Sequence, residues 1–229
     1  MIKSKAWDWS INKSGIWEIP SQDSYYLVQR WKEKNYVRFL DLGCGLGRHS
    51  FQFARAGFST FAFDLSSEAI DYVKRIAIRD SLHIQADLGD MTNLPYEDSF
   101  FDCVLAYNVI SHTDTTGIAK VVTEIERVLK VDGEMFVSLC SKNAWSYRDA
   151  GFPVLDENTV RKIEDGPENN IPHFFADRTL IGQLFSGFEV ENLRHIQDMV
   201  VNKEEYESWH YFLLGIRNRD QKHRNPGQS

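Results

Sequence analysis

The sequence predicts an α/β fold in three layers, with helices covering both faces of a mostly parallel, seven-stranded sheet. Three observations carry that prediction. From about residue 36, short apolar runs alternate with stretches of helical periodicity, the rhythm of βαβ units. The first of these runs opens into a glycine-rich turn that leads straight into a helix. The length, 229 residues with 42% hydrophobic residues, suits one substantial core with added covering segments.

Residues 37–42 read as the first buried strand, and the helix after the turn runs to about Ala56, where Gly57 stops it. Residues 59–64 form a second strand. Ser66 is then placed to cap a helix whose apolar face is Ala69, Ile70, Val73 and Ile76. Residues 82–86 and 101–107 read as strands three and four. Beyond Gly117, the residues Ile118, Val121, Val122, Ile125, Val128 and Leu129 give the clearest helical stripe in the chain. Asp132-Gly133 marks a turn into a fifth strand at 134–139. Leu180, Ile181, Leu184 and Phe185 fit a short helix, and residues 188–193 and 211–216 the last two strands.

Two stretches stand outside this rhythm. Residues 1–35 hold Trp7, Trp9 and Trp17 with Tyr25 and Tyr26, and read as an aromatic arm or lid. Residues 141–176 form a long insertion with little regular pattern, a kind of segment that is usually functional or disordered. One domain spanning 1–229 is expected: the arm, a core at 36–140, the insertion on the substrate side, a helix and strands at 177–217, and a flexible tail at 218–229.

The formal net charge of −7 argues against broad nucleic-acid binding, which needs clustered Lys and Arg. No apolar run approaches the roughly 18 residues of a membrane span, and the N-terminus lacks the apolar stretch of a signal peptide. Cys44, Cys103 and Cys140 are odd in number and lack metal-ligand spacing, so a reduced, cytoplasmic protein without a bound metal is expected. The sequence is compatible with a monomer or a homodimer.

The chemistry concentrates in Asp41-Leu42-Gly43-Cys44-Gly45-Leu46-Gly47, where the backbone must pass close to a ligand. The dinucleotide fingerprint Gly-x-Gly-x-x-Gly is not completed, since its last position is Arg48 or Ser50 depending on the start. A phosphate-binding loop ending in Gly-Lys-Ser/Thr is absent as well. What stands there is an acid two residues before Gly-x-Gly-x-Gly. Asp64 then closes the second strand, where a carboxylate can accept both hydroxyls of a ribose. Asp87-Leu88-Gly89-Asp90-Met91 leads to Leu94-Pro95-Tyr96, and Ala106-Tyr107-Asn108-Val109-Ile110-Ser111-His112 leaves the fourth strand at the carboxyl edge of the sheet.

Taken in order and at normal spacing over about 36–140, these four motifs resemble class I S-adenosylmethionine (SAM) dependent methyltransferases. The wording is most similar to the small-molecule branch around ubiquinone-biosynthesis and tellurite-resistance methyltransferases. The resemblance implies a Rossmann-like sheet with its last strand antiparallel, and SAM as cofactor. It implies that Asp41, Gly43, Cys44, Gly45 and Gly47 surround the methionine part and that Asp64 and Leu65 meet the ribose. Asp90 and Met91 would meet the adenine, with Asp87 as the rival acid, and Tyr107 would lie beside the methionine amine. The Asn/Asp-Pro-Pro motif of amino methylases is missing, and the usual Pro-Gly before strand five is replaced by Val131-Asp132.

A small-molecule methyl acceptor is the expected partner, with no nucleic acid and no membrane. A SAM-binding regulator without catalysis and a methylase of protein or RNA are the alternatives. Of the seven histidines, His49, His83, His210 and His223 have structural or terminal explanations. His112 is the candidate catalytic acid/base because it follows strand four on the acceptor edge. His173, in the insertion, is its rival, and Trp9 and Trp17 are candidate substrate walls beside the plainer reading of a packed terminal arm.

Overall fold

The computed structural model describes residues 4–9, 15–198 and 207–219. Five parallel strands make the centre of the sheet: β1 (Arg38–Leu42), β2 (Ser59–Asp64), β3 (Ile84–Leu88), β4 (Phe101–Ala106) and β5 (Leu129–Ser141), in the order β3-β2-β1-β4-β5. The helices between them are α2 (Arg48–Arg55), α3 (Ser67–Arg79) and α4 (Thr115–Val128). The sheet continues from β5 to β10 (Ser208–Arg217), which runs antiparallel to it, and on to β9 (Phe188–Asp198). The predicted mostly parallel architecture with an antiparallel last strand is therefore observed. The chain leaves β1 toward β2 and later returns to the other side at β4, so a topological switch point lies between β1 and β4.

The local signals work as their chemistry says. Ser66 accepts the backbone N–H of Ala69, and Ala69, Ile70, Val73 and Ile76 are the buried face of α3. Asp114 caps α4 by accepting from Gly117 N at 2.7 Å, and Ile118, Val121, Val122, Ile125 and Val128 are buried. Gly57 closes α2 with φ of 96°, a conformation that favours glycine. The turn expected at Asp132-Gly133 is a bulge within β5. Leu129 pairs with Phe101 and Glu134 already pairs with Cys103, so the residues between them loop out, with Asp132 at φ 62°.

Three expectations need correction. Residues 22–33 of the supposed arm form a core helix, α1 (Gln22–Glu33), with Leu27 and Trp31 fully buried. It is tied to β5 at the buried Glu134, which accepts from Trp31 Nε1 (2.8 Å), Arg30 Nε (2.7 Å) and Lys34 Nζ (2.5 Å). The insertion is not irregular: it holds α5 (Trp145–Arg148), β6 (Val154–Asp156), β7 (Thr159–Arg161) and the wholly buried β8 (Pro172–Ala176). These three short strands join the sheet through β8, which pairs with the end of β5 at Cys140 and Ser141, so the sheet exceeds seven strands. The last correction is His210, which lies within β10 rather than before it. The short helix α6 (Arg178–Leu184) leads into β9, and of the expected tail only residues 218 and 219 are described.

Candidate active site

The strand ends at the switch point build the site. Gly43 N and Cys44 N both donate to Phe63 O, at 2.7 and 3.1 Å, which pins the glycine turn against the end of β2. Gly43, Gly45 and Gly47 all have positive φ. Asp64 braces the same turn: its carboxylate accepts Gly45 N and Ser66 N, each at 2.8 Å. Burial raises the Asp64 pKa even though those two N–H groups favour the charge. Each oxygen keeps lone pairs for a further donor, as a diol would supply.

A cavity of about 90 Å³ lies over this turn. Its walls include Gly43, Cys44, Gly45, Asp64, Leu65, Asp90, Met91, Tyr107 and His112, together with Trp9 and Trp17. Asp41 and Gly47 stand behind the wall rather than on it. Asp41 is fully buried, accepts the Ser50 hydroxyl at 2.5 Å, and is pushed up to about 6 by burial. Gly47 serves as the left-handed N-cap of α2. Between the two acids after β3, Asp90 lines the cavity, whereas Asp87 is turned aside to Tyr96 (3.0 Å) and Gln85 (2.8 Å). Burial opposes the Asp90 charge, but hydrogen bonds from Ser4 and Thr92 hold its pKa below the usual carboxylate range.

The N-terminal segment closes this cavity from outside. Trp7, Trp9 and Trp17 form one cluster with ring centroids 4.9–6.3 Å apart, and Trp7 also lies 5.5 Å from the His112 ring. Arg48 sits over both Trp17 (5.1 Å) and Tyr107 (5.5 Å), and donates to Ile16 O and Ile19 O. The His49 Nε2 accepts Ser21 N at 3.1 Å; burial first, and then the Arg48 charge, push its pKa down to about 3.

A second cavity, of about 210 Å³, shares Trp17, Asn108 and His112 with the first. The rest of its wall is mixed: Ser138, Ser208, Trp209 and His210 from the sheet and Ser111 from the loop after β4, with Lys162, Glu168, His173 and Phe175 from the insertion. Asn108 takes φ 56° and is fixed to Ser138, its N–H donating to Oγ at 2.6 Å and its Oδ1 accepting from Oγ at 2.9 Å. His112 Nε2 stands 3.7 Å from Glu168 Oε1, and His173 Nε2 stands 3.3 Å from Oε2, which also meets Lys162 Nζ. Burial pushes the His173 pKa down to about 4. Burial also works against the Glu168 charge, but His112, His173 and Lys162 hold it well below the usual range. His112 and His173, expected as rivals, are thus neighbours with ring centroids 4.7 Å apart.

Sequence reasoning missed Lys162, Glu168 and His210 as wall residues. The first two reach the cavity only through the strand pairing of the insertion. The last could have been found from its alternation with Tyr211 and Phe212 in a strand. Asn108 carried a signal in its type, since asparagine tolerates positive φ at a strand end.

Residues 39–133 match a family model described as a methyltransferase domain. A ubiquinone biosynthesis O-methyltransferase of Pelagibacter ubique is 29% identical over 111 residues, 48% of this chain and 45% of that protein. The chain spans about half the length of the curated relatives it matches first. Among solved structures, a SAM-dependent methyltransferase of Methanosarcina mazei aligns with TM-score 0.68 at 20% identity, covering 82% of this chain and 97% of that one. TehB from Haemophilus influenzae aligns with TM-score 0.64 at 15% identity, covering 87% of this chain and 63% of that one. Likeness at that level is likeness of fold.

Proposed function

We propose that the chain is a SAM-dependent methyltransferase of the Rossmann-like class and that it moves the methyl group of SAM to a small polar molecule, a reading supported by the methyltransferase-domain match over residues 39–133. One observation carries this reading. Two cavities share a wall of Trp17, Asn108 and His112, one over the glycine turn and its acids, the other walled by the sheet and the insertion with serine, histidine and charged side chains beside Phe175 and Trp209. Donor and acceptor would meet across that wall.

The residues present fit the cofactor. The turn at Gly45 gives close backbone approach, Asp64 offers a buried carboxylate where a ribose diol would lie, and Asp90 and Met91 stand at the adenine end. SAM, when bound, supplies an electrophilic methyl on a sulfonium. The protein's own part is alignment and exclusion of water. Asn108, locked to Ser138, fixes the boundary between the cavities. Trp7, Trp9 and Trp17 cover the donor side, and His112 faces the acceptor. The second cavity has serine hydroxyls and an ion pair on its wall, which suits a compact acceptor rich in hydrogen-bonding groups.

Calorimetry with SAM, followed by turnover of methyl-labelled SAM against a panel of small polar metabolites, tests the reading. Asp64→Ala is expected to weaken SAM binding by about 1.5–3 kcal/mol, the scale of a lost charge-assisted hydrogen bond. His112→Asn is expected to lower kcat/KM by about 10²-fold while SAM affinity stays near wild type. Unchanged SAM affinity in a folded Asp64→Ala variant sinks the ribose assignment.

A further inference from the structure

We propose that His112, Glu168 and His173 bind one divalent transition-metal ion, zinc by the chemistry of the donors, on the wall of the second cavity. The proposal rests on the assignment of that cavity to the methyl acceptor, and it adds a ligand that neither the sequence motifs nor the relatives assign.

The geometry comes first. One ligand atom from each of the three side chains lies within 4.8 Å of the others. Tetrahedral zinc holds donors at about 2.0–2.2 Å, which stand roughly 3.3–3.6 Å apart, so the present arrangement closes by side-chain shifts on the order of an ångström. Two imidazoles with one carboxylate, and a remaining position open to a cavity, is the donor set of catalytic rather than structural zinc.

The hydrogen bonding of the three residues is otherwise hard to account for. His173 Nδ1 lies 3.0 Å from Ile171 O, which can only accept, so Nδ1 carries the proton. The Nε2 of this neutral, fully buried ring then points a bare lone pair toward a carboxylate 3.3 Å away, and among the described residues it has no hydrogen-bond partner. His112 Nε2 faces the other oxygen of the same carboxylate at 3.7 Å, too far for a hydrogen bond. A bare, buried imidazole lone pair and a second imidazole nitrogen converging on the two oxygens of one carboxylate is an arrangement a cation resolves. A backbone carbonyl holding the far nitrogen is also the outer support that metal-bound histidines have.

Lys162 is compatible with this. Its ammonium contacts Oε2 at 2.5 Å, which leaves Oε1 to the metal and makes the lysine an outer partner of the carboxylate. With Lys162 and Glu168 neutralising each other, the ion keeps its full charge toward the open position. An acceptor thiol or hydroxyl bound there loses its proton to solvent on coordination, since a metal ion lowers the pKa of such ligands by several units. His112 then acts by holding the ion, not by taking the proton itself.

The test uses the full chain, stripped with a chelator and titrated with Zn²⁺ by calorimetry and with Co²⁺ by visible absorption. One equivalent of zinc and intense Co²⁺ bands in the visible are expected. His173→Ala and Glu168→Gln should each weaken zinc by about 100-fold or more, beyond the roughly 10–100-fold that loss of an outer partner costs. Lys162→Met should retain one equivalent. His112 is partly exposed, so His112→Asn gives a ligand variant expected to melt like wild type. Absence of zinc binding at micromolar concentration in the wild type overturns the proposal, as does wild-type zinc affinity in a folded His112→Asn variant. SAM calorimetry on the same samples separates the two readings: SAM binding without zinc binding overturns the metal site and leaves methyl transfer standing.

Discussion

At Gly43 and Gly45 one residue type answers two different demands. Both have positive φ, 68° and 51°. A Cβ at Gly43 would lie 2.1 Å from Val109 Cγ2, a packed side chain, whereas at Gly45 it would meet only the outer edge of the Trp9 ring, at 2.6 Å. Gly43→Ala is therefore expected to lower fold stability by about 1–3 kcal/mol through overpacking. Gly45→Ala should cost only the left-handed backbone penalty of about 1–2 kcal/mol, yet weaken SAM binding at least tenfold because the methyl stands in the cavity. Thermal melts and calorimetry on both variants check the contrast; equal SAM affinity in Gly45→Ala and wild type would make that glycine merely a turn residue. Residue types carried much of this in the sequence. The resemblance preferred Asp90 to Asp87, and the structure puts Asp90 on the cavity wall. Asp41 was legible as part of the motif but not as a buried support for Ser50, since its motif position says nothing about which way the carboxylate turns.

Elements were legible where a local period fixes them and obscure where a distant strand does. The face of α3 and that of α4 follow from sequence spacing alone, because a helix buries what its 3.6-residue repeat puts on one side. β8 has no such signal: its burial comes from pairing with the end of β5, thirty-five residues earlier in the chain. α1 had a period, with Leu27 and Trp31 four apart, but the aromatic richness of residues 1–35 masked it. What remains of the arm is the segment with Trp7, Trp9 and Trp17, and it walls the donor cavity more than the acceptor one. The donor cavity, about 90 Å³ with the arm in place, is below the roughly 300–1,000 Å³ of ligand pockets. Trp7, Trp9 and Trp17 line that space and would contact a nucleoside bound there. Deleting residues 1–20 is accordingly expected to reduce both SAM affinity and turnover. Calorimetry and labelled-methyl turnover decide it: loss of turnover alone would assign the arm to the acceptor, and loss of neither would reduce the tryptophans to packing.

For the whole molecule, the mostly parallel layering was legible because strands alternate with helices along the chain, and the site sits at the switch point that the observed strand order creates. The second cavity was not legible, because it needs β5, β10 and the insertion together. The same burial that builds the site also sets how the fold responds to acid. His49 is buried and neutral, its pKa pushed down to about 3 chiefly by burial. Unfolded, it titrates near 6.5, so the unfolded chain takes up the proton first as pH falls. His49 thus contributes stability in full above about pH 6.5 and loses it progressively toward pH 3. Asp41 runs the other way: raised to about 6 by burial, it contributes stability below its ordinary value of 3.8 that is lost as pH rises through 6. The two slopes oppose each other between about pH 4 and 6, so the wild-type melting curve alone hides both. His49→Gln keeps an oxygen acceptor for Ser21 N without a titrating ring. The wild type should gain on this variant by up to about 1.4 kcal/mol per pH unit from pH 4 to 6 and hold a constant difference above pH 7. Against Asp41→Asn, the wild type should lose ground over the same window. Chemical denaturation at half-unit pH steps measures both differences, and curves that stay parallel for all three proteins would mean that neither burial controls acid stability.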